Sequence, residues 1–249
     1  MAPKCVSGGR FYGGAVTDDG IVDARRATVV AFYGGLPDAL DELVARLQER
    51  AAAHLGSGFE ARARDQVHAT VIGLETAPAP AGPDRSRFDA GPLLAHLVAT
   101  FAEHPLDIQF GGAAREDDRW PSRGASRYQR SFLCGPAGVV LIGWPVGPVG
   151  GETVRLPTLA TIRRGCEPFG ARHRYHVEPG SEDPDAYLVI GRLTAPPGPA
   201  AADLADAVRS ELAAAPVRVR LGPEQLSLVE YTDTALPVAS SRRRPLIGF

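Results

Sequence analysis

His68 and Thr70 stand two residues apart within residues 67–74 (VHATVIGL), an apolar, β-branched run whose composition predicts a strand. Strand alternation turns the imidazole and the hydroxyl to one face and Val67, Ala69 and Val71 to the other. An imidazole on a rigid strand can move a proton near neutral pH. A hydroxyl beside it can donate a hydrogen bond to a non-bridging phosphoryl oxygen, so the pair suits phosphoester chemistry. The same spacing also arises where a strand histidine is merely satisfied by a neighbour.

Other side chains could complete such a site. Residues 172–176 (RHRYH) carry His173 and His176, either of which could reach a cleft as a second proton carrier, or lie in a solvated turn. Residues 122–132 (SRGASRYQRSF) hold Arg123, Tyr128, Arg130 and Ser131, where guanidinium forks could grip a phosphate and Tyr128 could stack on a base. The competing reading is a flexible basic loop. Arg192, on a second strand-like run, is a similar candidate. His54, His96 and His104 have no ligand-like spacing, and three cysteines without a Cys-x-x-Cys pattern indicate neither a zinc site nor a disulfide framework. No metal or cofactor is implied, and no phosphate-cradling glycine loop, nucleophile elbow or paired-carboxylate motif stands out.

The elements that must position these groups follow from periodicity. Residues 27–33 (ATVVAFY) predict a buried strand, broken by Gly34-Gly35, and Leu40, Leu43, Val44 and Leu47 outline the helix after it. The strand of His68 follows, then a helix through Leu93, Leu94, Leu97 and Phe101, and a strand at 106–110. Residues 111–130 predict a polar loop, and 139–144 (VVLIGW) a central strand. A third helix follows Pro157, a strand spans 187–193 (YLVIGRL), a fourth helix runs through Leu204, Val208 and Leu212, and two strands close the series. Strand, helix, strand, helix, strand, repeated, predicts an internally duplicated α+β fold whose two lobes enclose a cleft.

With 249 residues, 44% of them apolar, the chain can bury a sizeable core. A formal charge of −2 argues against a duplex DNA or RNA footprint and leaves a small anion open. No run approaches the length of a membrane span, and the first ten residues lack the apolar core of a signal peptide, so a cytoplasmic monomer away from membranes is expected.

The sequence 68–74 (HATVIGL), on the strand after the first helix of a duplicated α+β chain, resembles the first signature of the two-histidine phosphoesterase superfamily. That superfamily includes RNA 2′,3′-cyclic phosphodiesterases and 2′-5′ RNA ligase-like proteins. The resemblance spans residues 27–236. It implies two lobes of antiparallel or mixed sheets that exchange strands, helices outside, a central cleft, and metal-independent chemistry on a cyclic phosphate or 2′-5′ linkage of a nucleotide or RNA end. His68 would be the general acid or base and Thr70 the phosphate anchor. In the second half Tyr187 and Val189 stand where the family pattern has histidine and a hydroxyl residue, and valine cannot donate a hydrogen bond. Tyr187 then packs or binds substrate, and His176 or His173 supplies the second proton transfer. The alternative is a non-catalytic module that binds a nucleotide, an RNA end or a protein. Residues 1–26 are expected to form a flexible arm and 237–249, with Arg242, Arg243 and Arg244, a solvated tail.

Overall fold

The computed structural model describes residues 21–23, 26–75, 87–116, 121–176 and 182–247. The chain runs β1 (Ile21–Asp23), β2 (Ala27–Ala31), α1 (Asp38–Leu55), β3 (Phe59–Ala61), β4 (Ala69–Gly73), β5 (Arg87–Asp89), α2 (Gly91–Glu103) and β6 (Leu106–Phe110). It continues through α3 (Arg127–Ser131), β7 (Phe132–Gly135), β8 (Gly138–Val149), β9 (Glu152–Arg155), α4 (Thr158–Gly165) and β10 (Ala186–Leu193). The last elements are α5 (Pro199–Ala214), β11 (Val217–Leu221), β12 (Leu226–Glu230) and β13 (Arg242–Pro245).

Eleven strands make one sheet, ordered β11-β6-β8-β10-β4-β2-β12-β13, with β3 beside β10, and β7 and β9 beside β8. β1 and β5 pair separately. Every pairing among the described residues is antiparallel. The architecture is therefore α+β, with helices against an antiparallel sheet. β6 from the first half of the chain joins β8, and β12 from the second half joins β2.

Alternation sorts the strand side chains onto two faces. Val29 and Ala31 of β2, Leu141 of β8, Leu188 of β10 and Leu228 of β12 share one core with Leu43 and Leu47 of α1, Leu97 and Phe101 of α2, and Leu204 and Val208 of α5. Burial of these apolar faces, at about 25 cal/mol per Å², holds the helices to the sheet. The opposite side chains form two smaller clusters. Val30, Tyr33, Val229 and Leu236 make one, and Val140, Ile142 and Trp144, with Tyr187 and Val189 against them, make the other. β2 and β8 read as continuous apolar runs because both of their faces are covered.

Several sequence expectations shift. His68 lies just before β4, which begins at Ala69. The polar loop ends early, because Ser126 caps α3: its hydroxyl accepts from Gln129 N at 3.2 Å, while Gln129 Oε1 accepts from Ser126 N at 3.1 Å. Arg242, Arg243 and Arg244 are not a solvated tail but part of β13, paired with β12, and Arg243 Nε donates to Ser227 Oγ at 2.9 Å. Composition missed this strand because long side chains at a sheet edge keep their charges in water while the backbone pairs. Of the expected N-terminal arm, residues 21–23 form β1, while 1–20, 24 and 25 lie outside the described residues.

Candidate functional site

A cavity of about 250 Å³ opens at the seam between β4 and β10. The two strands pair through Leu188 and Ala69. Continuing that antiparallel register sets Tyr187 beside Thr70 and Val189 beside His68, all facing away from the helix-packed core. His68, Thr70 and Tyr187 line the cavity with Thr28, Glu75, Arg123, Arg163, His173, Arg174, Tyr175, Asp183 and Asp185.

His68 is held on two sides. Its Nδ1 lies 2.7 Å from the carbonyl oxygen of Gln66, in the short turn before β4, and the ring meets Tyr33 edge-on at 5.8 Å. Tyr33 is itself fixed, its hydroxyl donating to Leu236 O at 3.0 Å. A carbonyl can only accept, so Nδ1 carries the proton and Nε2 keeps its lone pair. Burial lowers the His68 pKa to about 4, with the Gln66 carbonyl opposing and Arg62 adding to the fall. The imidazole is thus neutral at pH 7 and able to accept a proton.

Arg163, which sequence reasoning missed, fastens the floor of the cavity. Val29 pairs with Ile72 and Val30 with Thr70, so Val71 is the extra residue of a β-bulge and its carbonyl has no place in the ladder to β2. Arg163 Nε donates to that oxygen at 3.0 Å, and Nη2 donates to Thr70 O at 2.7 Å and to Asp185 O at 3.1 Å. Nη1 donates to Asp183 O. One guanidinium, 2% exposed, therefore ties β4 to the segment that enters β10.

That segment carries two buried carboxylates, also unanticipated. Asp185 accepts from Ser122 Oγ at 2.9 Å, Trp144 Nε1 at 2.7 Å and Arg130 Nη2 at 2.5 Å. Asp183 Oδ2 accepts from Arg123 Nη2 at 2.7 Å. Arg123 in turn lies over the Tyr175 ring, its Cζ 3.5 Å from the centroid.

His173 is 6% exposed and lines the cavity, whereas His176 is fully buried behind it, 5.1 Å away ring to ring, and accepts from Asp183 N at 3.3 Å. Burial first, then Arg163, His176 and Arg123, push the His173 pKa down to about 2. Burial raises the Tyr187 phenol, which keeps it protonated. Four other candidates lie elsewhere. Tyr128 turns away, bonding Arg115 at 3.0 Å and Ser210 at 2.9 Å, and Ser131 donates to Tyr128 O at 2.8 Å. Arg130 stands behind Asp185, and Arg192 pairs with Glu60 on an exposed surface. Arg163 and Asp183 carry no motif; an Arg-Arg pair at the end of a helix and an Asp-Pro-Asp before a strand were the available signals.

Among the described residues no three His, Cys, Asp or Glu side chains come together to hold a metal ion, and no helix is long and apolar enough to cross a membrane. Neither a protein-family model nor a curated protein matches the chain. A crystal structure of TT0787 of Thermus thermophilus aligns with 88% of this chain and 93% of that one, at 15% identity and a TM-score of 0.43. A likeness of that size decides nothing about the chemistry of the site.

Proposed function

We propose that the chain is a metal-independent phosphoesterase-like protein acting on a cyclic phosphate or 2′-5′ phosphodiester of a nucleotide or RNA end. The observation that carries this reading is His68. Its neutral imidazole is fixed through Nδ1 and lines, together with Thr70, a cavity that also holds arginine side chains. His68 Nε2 would accept the proton of the attacking water, and Thr70 Oγ1 would donate to a non-bridging oxygen. The antiparallel seam of β4 and β10, with β6 and β12 crossing to the opposite halves, supports a duplicated fold over residues 27–236 that exchanges strands between its lobes.

Charge supports a singly charged diester over a dianion. Three arginines, Arg123, Arg163 and Arg174, line the cavity against three carboxylates, Glu75, Asp183 and Asp185, while His68 and His173 are neutral. Such a balanced wall attracts a monoanion weakly and has little to offer a second negative charge.

A specific observation favours a second reading. Extending the Leu188–Ala69 register by one residue sets Val189 beside His68, where a hydroxyl would complete the pattern, and His173 is held neutral and cannot serve as a resident acid. In this reading the cavity binds the nucleotide or RNA end without turning it over. Incubation of wild type and His68→Ala with 2′,3′-cyclic nucleotides and 2′-5′-linked dinucleotides, with chelator present, separates the two. Wild-type turnover lost in His68→Ala upholds the enzyme. Binding by calorimetry without turnover establishes the module, and neither binding nor turnover sinks both.

A further inference from the structure

Asp183 is 3% exposed, and three cationic or titratable side chains converge on its Oδ2. Arg123 Nη2 is at 2.7 Å, His173 Nδ1 at 3.8 Å and Arg163 Nη1 at 3.9 Å. Of these only the first is a hydrogen bond. His173 Nδ1 is buried and has no partner among the described residues, a state that is unfavourable for a buried polar atom. An acceptor for it lies one short movement away and is occupied by another donor.

The two arginines differ in freedom. Arg163 is pinned by the carbonyls of Thr70, Val71, Asp183 and Asp185. The Arg123 side chain is 31% exposed and lies at the cavity wall, held by Asp183 and the face of Tyr175. It is the guanidinium that can exchange a carboxylate for an incoming anion.

Resting on the phosphoesterase reading, we propose that Asp183 is the positioning residue of His173: an anion entering the cavity draws Arg123 off Oδ2, and His173 Nδ1–H takes that oxygen in its place. The exchange fixes the His173 tautomer, leaves Nε2 as the nitrogen available to the cavity, and sets a carboxylate against any positive charge the ring acquires. The charged and titratable groups around the ring are Arg163 of α4, Arg123 of the loop before α3, His176 and Tyr175 of its own segment, and Asp183. Departure of Arg123 removes one repelling cation and frees the one anion. The ligand itself thereby prepares the second proton carrier that β10 lacks.

The test is histidine side-chain ¹⁵N NMR on the full chain in a His68→Ala background, which prevents turnover, with adenosine 2′,3′-cyclic monophosphate as probe. Addition of the nucleotide is expected to convert His173 to a hydrogen-bonded Nδ1–H signature, and the conversion is expected to be absent in Asp183→Asn. Arg123→Ala should give the same signature without nucleotide and raise the protonated fraction of His173 at fixed pH by about tenfold or more. Asp183→Asn added to Arg123→Ala should reverse both changes, which loss of Arg123 repulsion alone would not do. Nucleotide binding with His173 unchanged overturns the proposal and leaves the phosphoesterase reading standing. No nucleotide binding overturns that reading, and an unaltered His173 in ligand-free Arg123→Ala independently removes the Asp183 contact.

Discussion

Arg163 Nη2 donates to the carbonyl oxygen of Thr70 at 2.7 Å, bringing a side chain from α4 onto the backbone of the strand that carries the site. Nε of the same guanidinium donates to Val71 O at 3.0 Å, and the bulge makes that contact necessary, since a carbonyl left outside the ladder and inside the protein needs a donor.

Arg163→Met is therefore expected to lose about 3–5 kcal/mol of stability, the scale for removing one partner of a buried charged network. The check is urea unfolding, with a lower midpoint at unchanged slope. A midpoint equal to wild type would mean that the four carbonyls find other donors and that the guanidinium is dispensable.

Asp185→Asn should loosen the start of β10, because Ser122, Trp144 and Arg130 all donate to that carboxylate. We expect a loss of about 2–4 kcal/mol. In a Trp120→Phe background Trp144 is the one tryptophan left, so its emission should move to longer wavelength as Nε1 loses its charged acceptor. Unchanged emission would place the acceptor elsewhere.

Folding stability should fall with acid through a definable window. His68 titrates near 6.5 when unfolded and near 4 when folded, so the unfolded chain takes up protons first. Its contribution is complete above about pH 6.5, is lost as the pH falls toward about 4, and is constant below that. His173, with a folded value of about 2, extends the loss to lower pH. His68→Gln should flatten part of the decline in urea midpoint between pH 7.5 and 4.5; parallel declines in both proteins would show that the ring is not held neutral.

If the chain turns over a diester, the acidic limb of kcat/KM should reflect His68 and lie near pH 4 rather than near 6.5. His68→Ala should lose about 10²–10⁴-fold in turnover and Thr70→Val less, with circular dichroism unchanged. An acidic limb near 6.5 would point to a different base.

Adding a second imidazole and hydroxyl on β10 offers a test by gain of function. Tyr187→His with Val189→Thr places an imidazole beside Thr70 and a hydroxyl beside His68 in the register of β4 and β10. Turnover of 2′,3′-cyclic nucleotides should rise by about tenfold or more, within the range of one added acid–base group. No rise, in a variant that folds and binds, would argue that the cavity recognises without reacting.

The sequence by itself determined α1, α2, α4 and α5, the principal strands, and the facing of His68 and Thr70. Those features are local, set by side-chain period and by turn residues within a dozen positions. The bulge, the strand at 242–245 and the grouping of Arg123, Arg163, His173, Asp183 and Asp185 around one cavity were decided by the tertiary structure. Arg163 and the carbonyls of Thr70 and Val71 that it serves lie 93 and 92 residues apart and share no period, so no local pattern marks them. Their common reason is the need to satisfy polar groups that the fold removes from water.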